Sequence, residues 1–89
     1  MQTSTDSTAI LVTNPTKRAM SIARREWDRA NDAGEGFAGS DEIDALVCEH
    51  LGNGSDALLL VVQGGRTLAC AYSGGASWCV DVTQALLAA

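Results

Sequence analysis

Apolar and polar positions along this chain change period several times, and each change marks an element. Between Ala57 and Val82, three largely apolar runs (Ala57–Gln63, Arg66–Tyr72 and Ala76–Val82) are separated by Gly64-Gly65 and Gly74-Gly75. Two-residue glycine loops are strong hairpin signals, because the favoured turns need positive φ at both positions. The stretch therefore predicts a three-stranded antiparallel meander. The loops also set its register, with Leu59 opposite Cys70, Val61 opposite Leu68, Cys70 opposite Cys79 and Tyr72 opposite Ser77. Alternation then puts Leu58, Leu60, Val62, Ala69, Ala71, Trp78, Val80 and Val82 on one face. Small residues in its middle strand form a trough for a helix, so this is the expected core face. The other face carries Leu59, Val61, Leu68, Cys70, Tyr72 and Cys79 among polar residues. It is more apolar than a solvated face needs, so either the N-terminal segment or another molecule is expected to cover it.

Upstream, the period lengthens. Met20, Ala23, Trp27 and Ala30 form one stripe, flanked by Ala19 and Ile22, as an amphipathic helix requires. Asn14-Pro15 reads as its cap and first residue, and the helix is expected to run to about Asp32. Ala33–Gly39 reads as a glycine-rich connector. Ser40 then caps a second helix with Asp41, Glu42 and Asp44 in its first turn and Ile43, Leu46, Val47, His50 and Leu51 on its inner stripe. Gly52 and Asn53-Gly54 are expected to end it. Thr8–Thr13 has the β-branched, apolar character of a short strand at a sheet edge, Met1–Ser7 is a polar lead expected to fray, and Thr83 is placed to cap a short helix over Gln84–Ala89. These elements predict a single α+β domain over residues 1–89: a small antiparallel sheet of three or four strands with two helices packed on one face.

Composition narrows the class. At 89 residues the chain buries roughly 60–65% of its extendable surface, enough for a modest core. A hydrophobic content of 46% with 19% charged residues describes a globular chain. No apolar run approaches the ~20 residues of a bilayer span, and the polar N-terminus lacks the regions of a signal peptide, so a cytoplasmic location is expected. Three cysteines without a Cys-x-x-Cys fit reduced thiols there. Cys70 and Cys79, opposed at a non-hydrogen-bonded position with Cα atoms about 4.5 Å apart, could form a disulfide or pack as two small apolar residues. Packing is the expected state, as it is for Cys48.

Charge is segregated. Five of the six basic residues (Lys17, Arg18, Arg24, Arg25 and Arg29) lie in the first helix, and four acids (Asp41, Glu42, Asp44 and Glu49) cluster in the second. A net charge of −5 argues against direct binding to nucleic acid or an anionic membrane and favours a basic protein partner. The alternative is that both helices are simply solvated and laced with intrahelical pairs such as Arg24–Asp28.

Candidate chemistry is sparse. His50 and Cys48, two residues apart, point to different sides of a helix and lack the further ligands of a zinc site, so His50 is read as structural. Gly34-x-Gly36-x-x-Gly39 has dinucleotide-loop spacing but follows a helix, and the acids just beyond it would repel a phosphate. No catalytic signature, cofactor or metal site is expected. Phe37 is either a lid on the core or an exposed contact residue.

The expected function is that of a non-enzymatic interaction protein whose Asp41, Glu42, Asp44, Glu49, Phe37, Tyr72, Leu59 and Leu68 meet a larger protein with a basic surface. In size and charge the chain is similar to small acidic phage-encoded inhibitors, including anti-CRISPR proteins that block DNA-binding surfaces of bacterial effector complexes. That likeness implies carboxylates standing in for phosphates. Two other classes remain open at this point: a homodimer through Leu59, Val61, Leu68, Cys70 and Tyr72, and a small-molecule binder with a pocket between Phe37, Tyr72 and the glycine connector.

Overall fold

The computed structural model describes residues 8–51 and 57–88; the lead at Met1–Ser7, the helix terminator at Gly52, Asn53 and Gly54, and Ala89 lie outside the described residues. Five strands, β1 (Ile10–Leu11), β2 (Phe37–Ala38), β3 (Leu59–Gln63), β4 (Arg66–Ser73) and β5 (Ala76–Asp81), form one antiparallel sheet in the order β1-β3-β4-β5-β2. Among the described residues three helices accompany it: α1 (Lys17–Asp32), α2 (Asp41–His50) and α3 (Thr83–Leu87). The α+β class and the antiparallel sheet are as expected, with one strand and one helix more than the main elements required.

The central meander has the expected register throughout, including Val61 opposite Leu68 and Cys70 opposite Cys79. Gly64, Gly65, Gly74 and Gly75 all have φ between +62° and +81°, the left-handed pairs that let two-residue turns follow the strand twist. β1 extends the meander at one edge beside β3, although only Ile10 and Leu11 of the expected strand pair as such, with Val12 N–H continuing to Leu60 O.

The helices divide between the two faces of the sheet. α1 buries Ala23, Trp27 and Ala30 against Leu58, Leu60, Ala69, Val80 and Val82, and Leu86 of α3 packs beside them. α2 buries Ile43 and Val47, followed by Leu51, against Val61, Leu68, Cys70 and Cys79 on the opposite face. Placing both helices on one face is therefore corrected. The reason is β2, a strand hidden in the glycine connector: it pairs with β5, between α1 and α2 in the chain, and the backbone crosses there from one face to the other. Gly39 makes the crossing possible. A Cβ there would stand 2.6 Å from Ser77 Oγ and 2.9 Å from Ile43 Cγ2, so only glycine passes without displacing one of them.

Local capping follows the chemistry with two shifts of position. Thr16, not Asn14, caps α1, its hydroxyl accepting from Ala19 N–H, while Asn14 takes a φ of 52° ahead of Pro15. Ser40 caps α2 as expected, accepting from Ile43 N–H. Thr83 is the first residue of α3 rather than its cap, and its hydroxyl accepts from Thr67 N–H and donates to Thr67 O, tying the helix to β4. Trp78, expected in the core, is 45% exposed. Its partners on either side are alanines, Ala71 and Ala38, and α1 packs one row further along, over Val80.

Candidate interaction surface

The acidic helix α2 lies across the second sheet face, and its outer side is the candidate surface. Ser40 starts the helix, and Asp41, Glu42 and Asp44 in the first turn face the positive end of its dipole, which stabilises both helix and carboxylates. Asp41, Glu42 and Glu49 are exposed. Asp44 is half-buried and turned inward, its Oδ1 accepting from Ser77 N–H at 3.2 Å. Asp44 is therefore a structural acceptor that docks α2 on β5, and three of the four expected carboxylates remain free to meet a partner.

Beside the start of α2 lies a hollow of about 550 Å³ lined by Phe37, Ser40, Glu42, Gln63, Arg66 and Leu68. Three of the expected contact residues (Phe37, Glu42 and Leu68) thus come together around one concavity. Phe37 is 43% exposed, the disposition of a contact residue and not of a lid. Leu68 is buried and contributes only a floor. Gln63 and Arg66 were not among the expected contacts and Ser40 was expected only as a helix cap, yet the Gly64-Gly65 turn that fixes the hairpin necessarily sets Gln63 opposite Arg66. Gln63 Nε2 donates to Ser40 Oγ at 3.4 Å, linking that turn to the helix cap.

The remaining expected contacts, Leu59 and Tyr72, are half-buried under α2. The sheet face expected to be covered by the N-terminal segment or another molecule is covered from within the chain, by α2 with Ala9 and Leu11 of the N-terminal segment packed beside it; Val61 and Cys70 are fully buried, and the homodimer surface drawn on that face is occupied. Tyr72 does not line the hollow beside Phe37. The neighbouring Cys48 thiol, and more weakly the Asp44 carboxylate, push its pKa up. Cys48 itself is exposed, contrary to the packing role expected of it.

Under α2 the two remaining cysteines are free thiols with sulfurs 3.3 Å apart. The hydrogen bond to Cys79 and burial both push the Cys70 thiol up, so it stays protonated and unreactive at neutral pH. His50, at the end of α2, is exposed with Nδ1 2.9 Å from Leu46 O. Among the described residues no group of three or more His, Cys, Asp or Glu side chains is placed to hold a metal, and no helix is long and apolar enough to cross a membrane.

Comparison with protein-family models, with curated proteins and with solved structures finds no match to this chain.

Proposed function

We propose that this chain is a non-enzymatic binding protein whose α2 face docks on a basic surface of a larger protein and occludes it, in the manner of small acidic inhibitors of the anti-CRISPR type. The observation that carries this reading is the division of charge between the two sheet faces. α1, with Lys17, Arg18, Arg24, Arg25 and Arg29, packs on one face, and α2, with Asp41, Glu42 and Glu49 exposed, packs on the other. Asp41 and Glu49 stand about 12 Å apart along the helix axis, so a rigid element presents separated carboxylates to a cationic groove. Phe37 beside them adds an aromatic anchor of the kind that dominates interface energetics. Where the covered surface is one that holds nucleic acid, the carboxylates take the places of phosphates.

The test uses a tagged chain and a triple variant, Asp41→Lys, Glu42→Lys and Glu49→Lys, in co-purification with mass-spectrometric identification. The expected result is one stoichiometric partner with a basic surface, lost from the variant while the thermal midpoint is kept. Capture of the same partner at the same affinity by the variant overturns the reading. Asp44 is left unchanged, because its carboxylate holds Ser77 N–H and its loss would confuse binding with stability.

A further inference from the structure

The opposite side of the molecule carries a second charged concavity that the α2 reading does not use. It is a groove of about 670 Å³ between α1 and α3, walled by Lys17, Arg18, Ser21, Ile22 and Arg25 of α1 and by Ala85 of α3. Lys17, Ser21 and Arg25 are spaced i, i+4, i+8, so two cations and a hydroxyl lie in line along about 12 Å of one helix face, with Arg18 on the adjacent line. The three cations are exposed, and none makes an ion pair among the described residues. Glu26, the acid at the groove, is committed to Arg29, which also pairs with Glu35. α3, Thr-Gln-Ala-Leu-Leu in sequence, brings no counter-charge to its wall. In a chain of net charge −5, three like charges therefore converge on one concave site with no ion-pair partner among the described residues.

We propose that this groove binds a compact phosphate-bearing ligand with two or more phosphate groups, the cations and the Ser21 hydroxyl holding the phosphates and Ile22 and Ala85 receiving the organic part. The volume falls within the roughly 300–1,000 Å³ range of small-ligand sites. The overall charge decides against a long polyanion. Screening confines the groove's field to about 8–10 Å at physiological salt, so a compact ligand meets mainly the three cations. A nucleic acid would run on past them into the acidic remainder of the surface.

Calorimetric titration at physiological salt with inorganic tripolyphosphate and with a nucleoside triphosphate tests this, alongside amide chemical-shift mapping. Binding of both probes is expected, with shifts confined to α1 and α3. Because Arg25 would give up a charge-assisted hydrogen bond to phosphate, Arg25→Ala alone should weaken tripolyphosphate by about tenfold or more. The triple variant Lys17→Ala, Arg18→Ala, Arg25→Ala should abolish binding with unchanged circular dichroism. Ala85→Glu, which places a carboxylate on the opposite wall, should do the same without touching α1. The Asp41→Lys, Glu42→Lys, Glu49→Lys variant should bind the probes undiminished, separating this site from the α2 surface. Absence of binding at millimolar tripolyphosphate, shifts centred outside α1 and α3, or tighter binding of a short DNA duplex than of tripolyphosphate each overturns the proposal.

Discussion

Beneath α2 the Ser77 hydroxyl is buried with no hydrogen-bond partner among the described residues, while the amide of the same residue is satisfied by Asp44. The two groups make opposite predictions. A buried unpaired hydroxyl costs about 1–3 kcal/mol, so Ser77→Ala should raise the urea midpoint, stabilising the fold by about 1 kcal/mol. Asp44→Ala leaves Ser77 N–H orphaned and should lower stability by about 1–3 kcal/mol in the same measurement. Gly39→Ala forces a methyl against Ser77 Oγ and Ile43 Cγ2 and should also cost about 1–3 kcal/mol. Because the nearest obstruction is the Ser77 hydroxyl, the Gly39→Ala, Ser77→Ala pair should lose less than the separate effects imply, a coupling that a double-mutant cycle reads directly. Additivity within error would mean that Ile43, not Ser77, decides the fit.

At the scale of elements, Arg29 ties the end of α1 to the connector that enters β2, donating to Glu26 on its own helix and to Glu35 beyond it. The hydrogen bond from Arg29 holds the Glu26 carboxyl below its ordinary range. A depressed carboxylate contributes stability that is present above its unfolded pKa and lost as the pH falls through the folded one. Acidification below the usual carboxylate range should therefore loosen this tie, and Glu26→Gln should flatten that part of the stability-against-pH curve. The effect is expected to be small because the pair is solvated. An unchanged acid limb in Glu26→Gln would remove the tie from the account. The same connector shows where sequence reading reaches its limit. The meander was legible to the residue because each hairpin is a local event, dictated by two glycines and a period-two pattern. β2 was not, because two residues inside Ala-Gly-Glu-Gly-Phe-Ala-Gly carry no periodicity, and Phe37 becomes a strand residue only by meeting Cys79 some forty positions later. Missing that strand put α2 on the wrong face, and so the cover of the Leu59, Val61 and Cys70 face was assigned to the N-terminal segment or another molecule and not to α2. The amphipathic stripes of α1 and α2 were readable; the side of the sheet each would seek was not, since both faces of the meander are apolar enough to attract one.

For the whole molecule, the covered second face and the split of charge have linked consequences. With Val61, Leu68, Cys70 and Cys79 under α2, the larger exposed apolar side chains among the described residues are Ile10, Phe37, Trp78 and Leu87, set on four different elements. Self-association needs a contiguous patch, so sedimentation at micromolar concentration should give a 9.2 kDa monomer. A stable dimer would show that scattered residues suffice. Charge polarity then sets how that monomer approaches a basic partner: the α2 side is attracted, and the α1 side, with five cations, is repelled. Steering of this kind acts on the association rate, which should fall steeply with added salt while the dissociation rate changes little. Removing Lys17, Arg18 and Arg25 takes the formal charge from −5 to −8 without altering α2. Surface-plasmon kinetics should therefore show faster association for that triple variant than for the parent, and the difference should shrink as salt rises. Slower association would place the α1 cations in contact with the partner, and the two faces would then act as one interface instead of two independent ones.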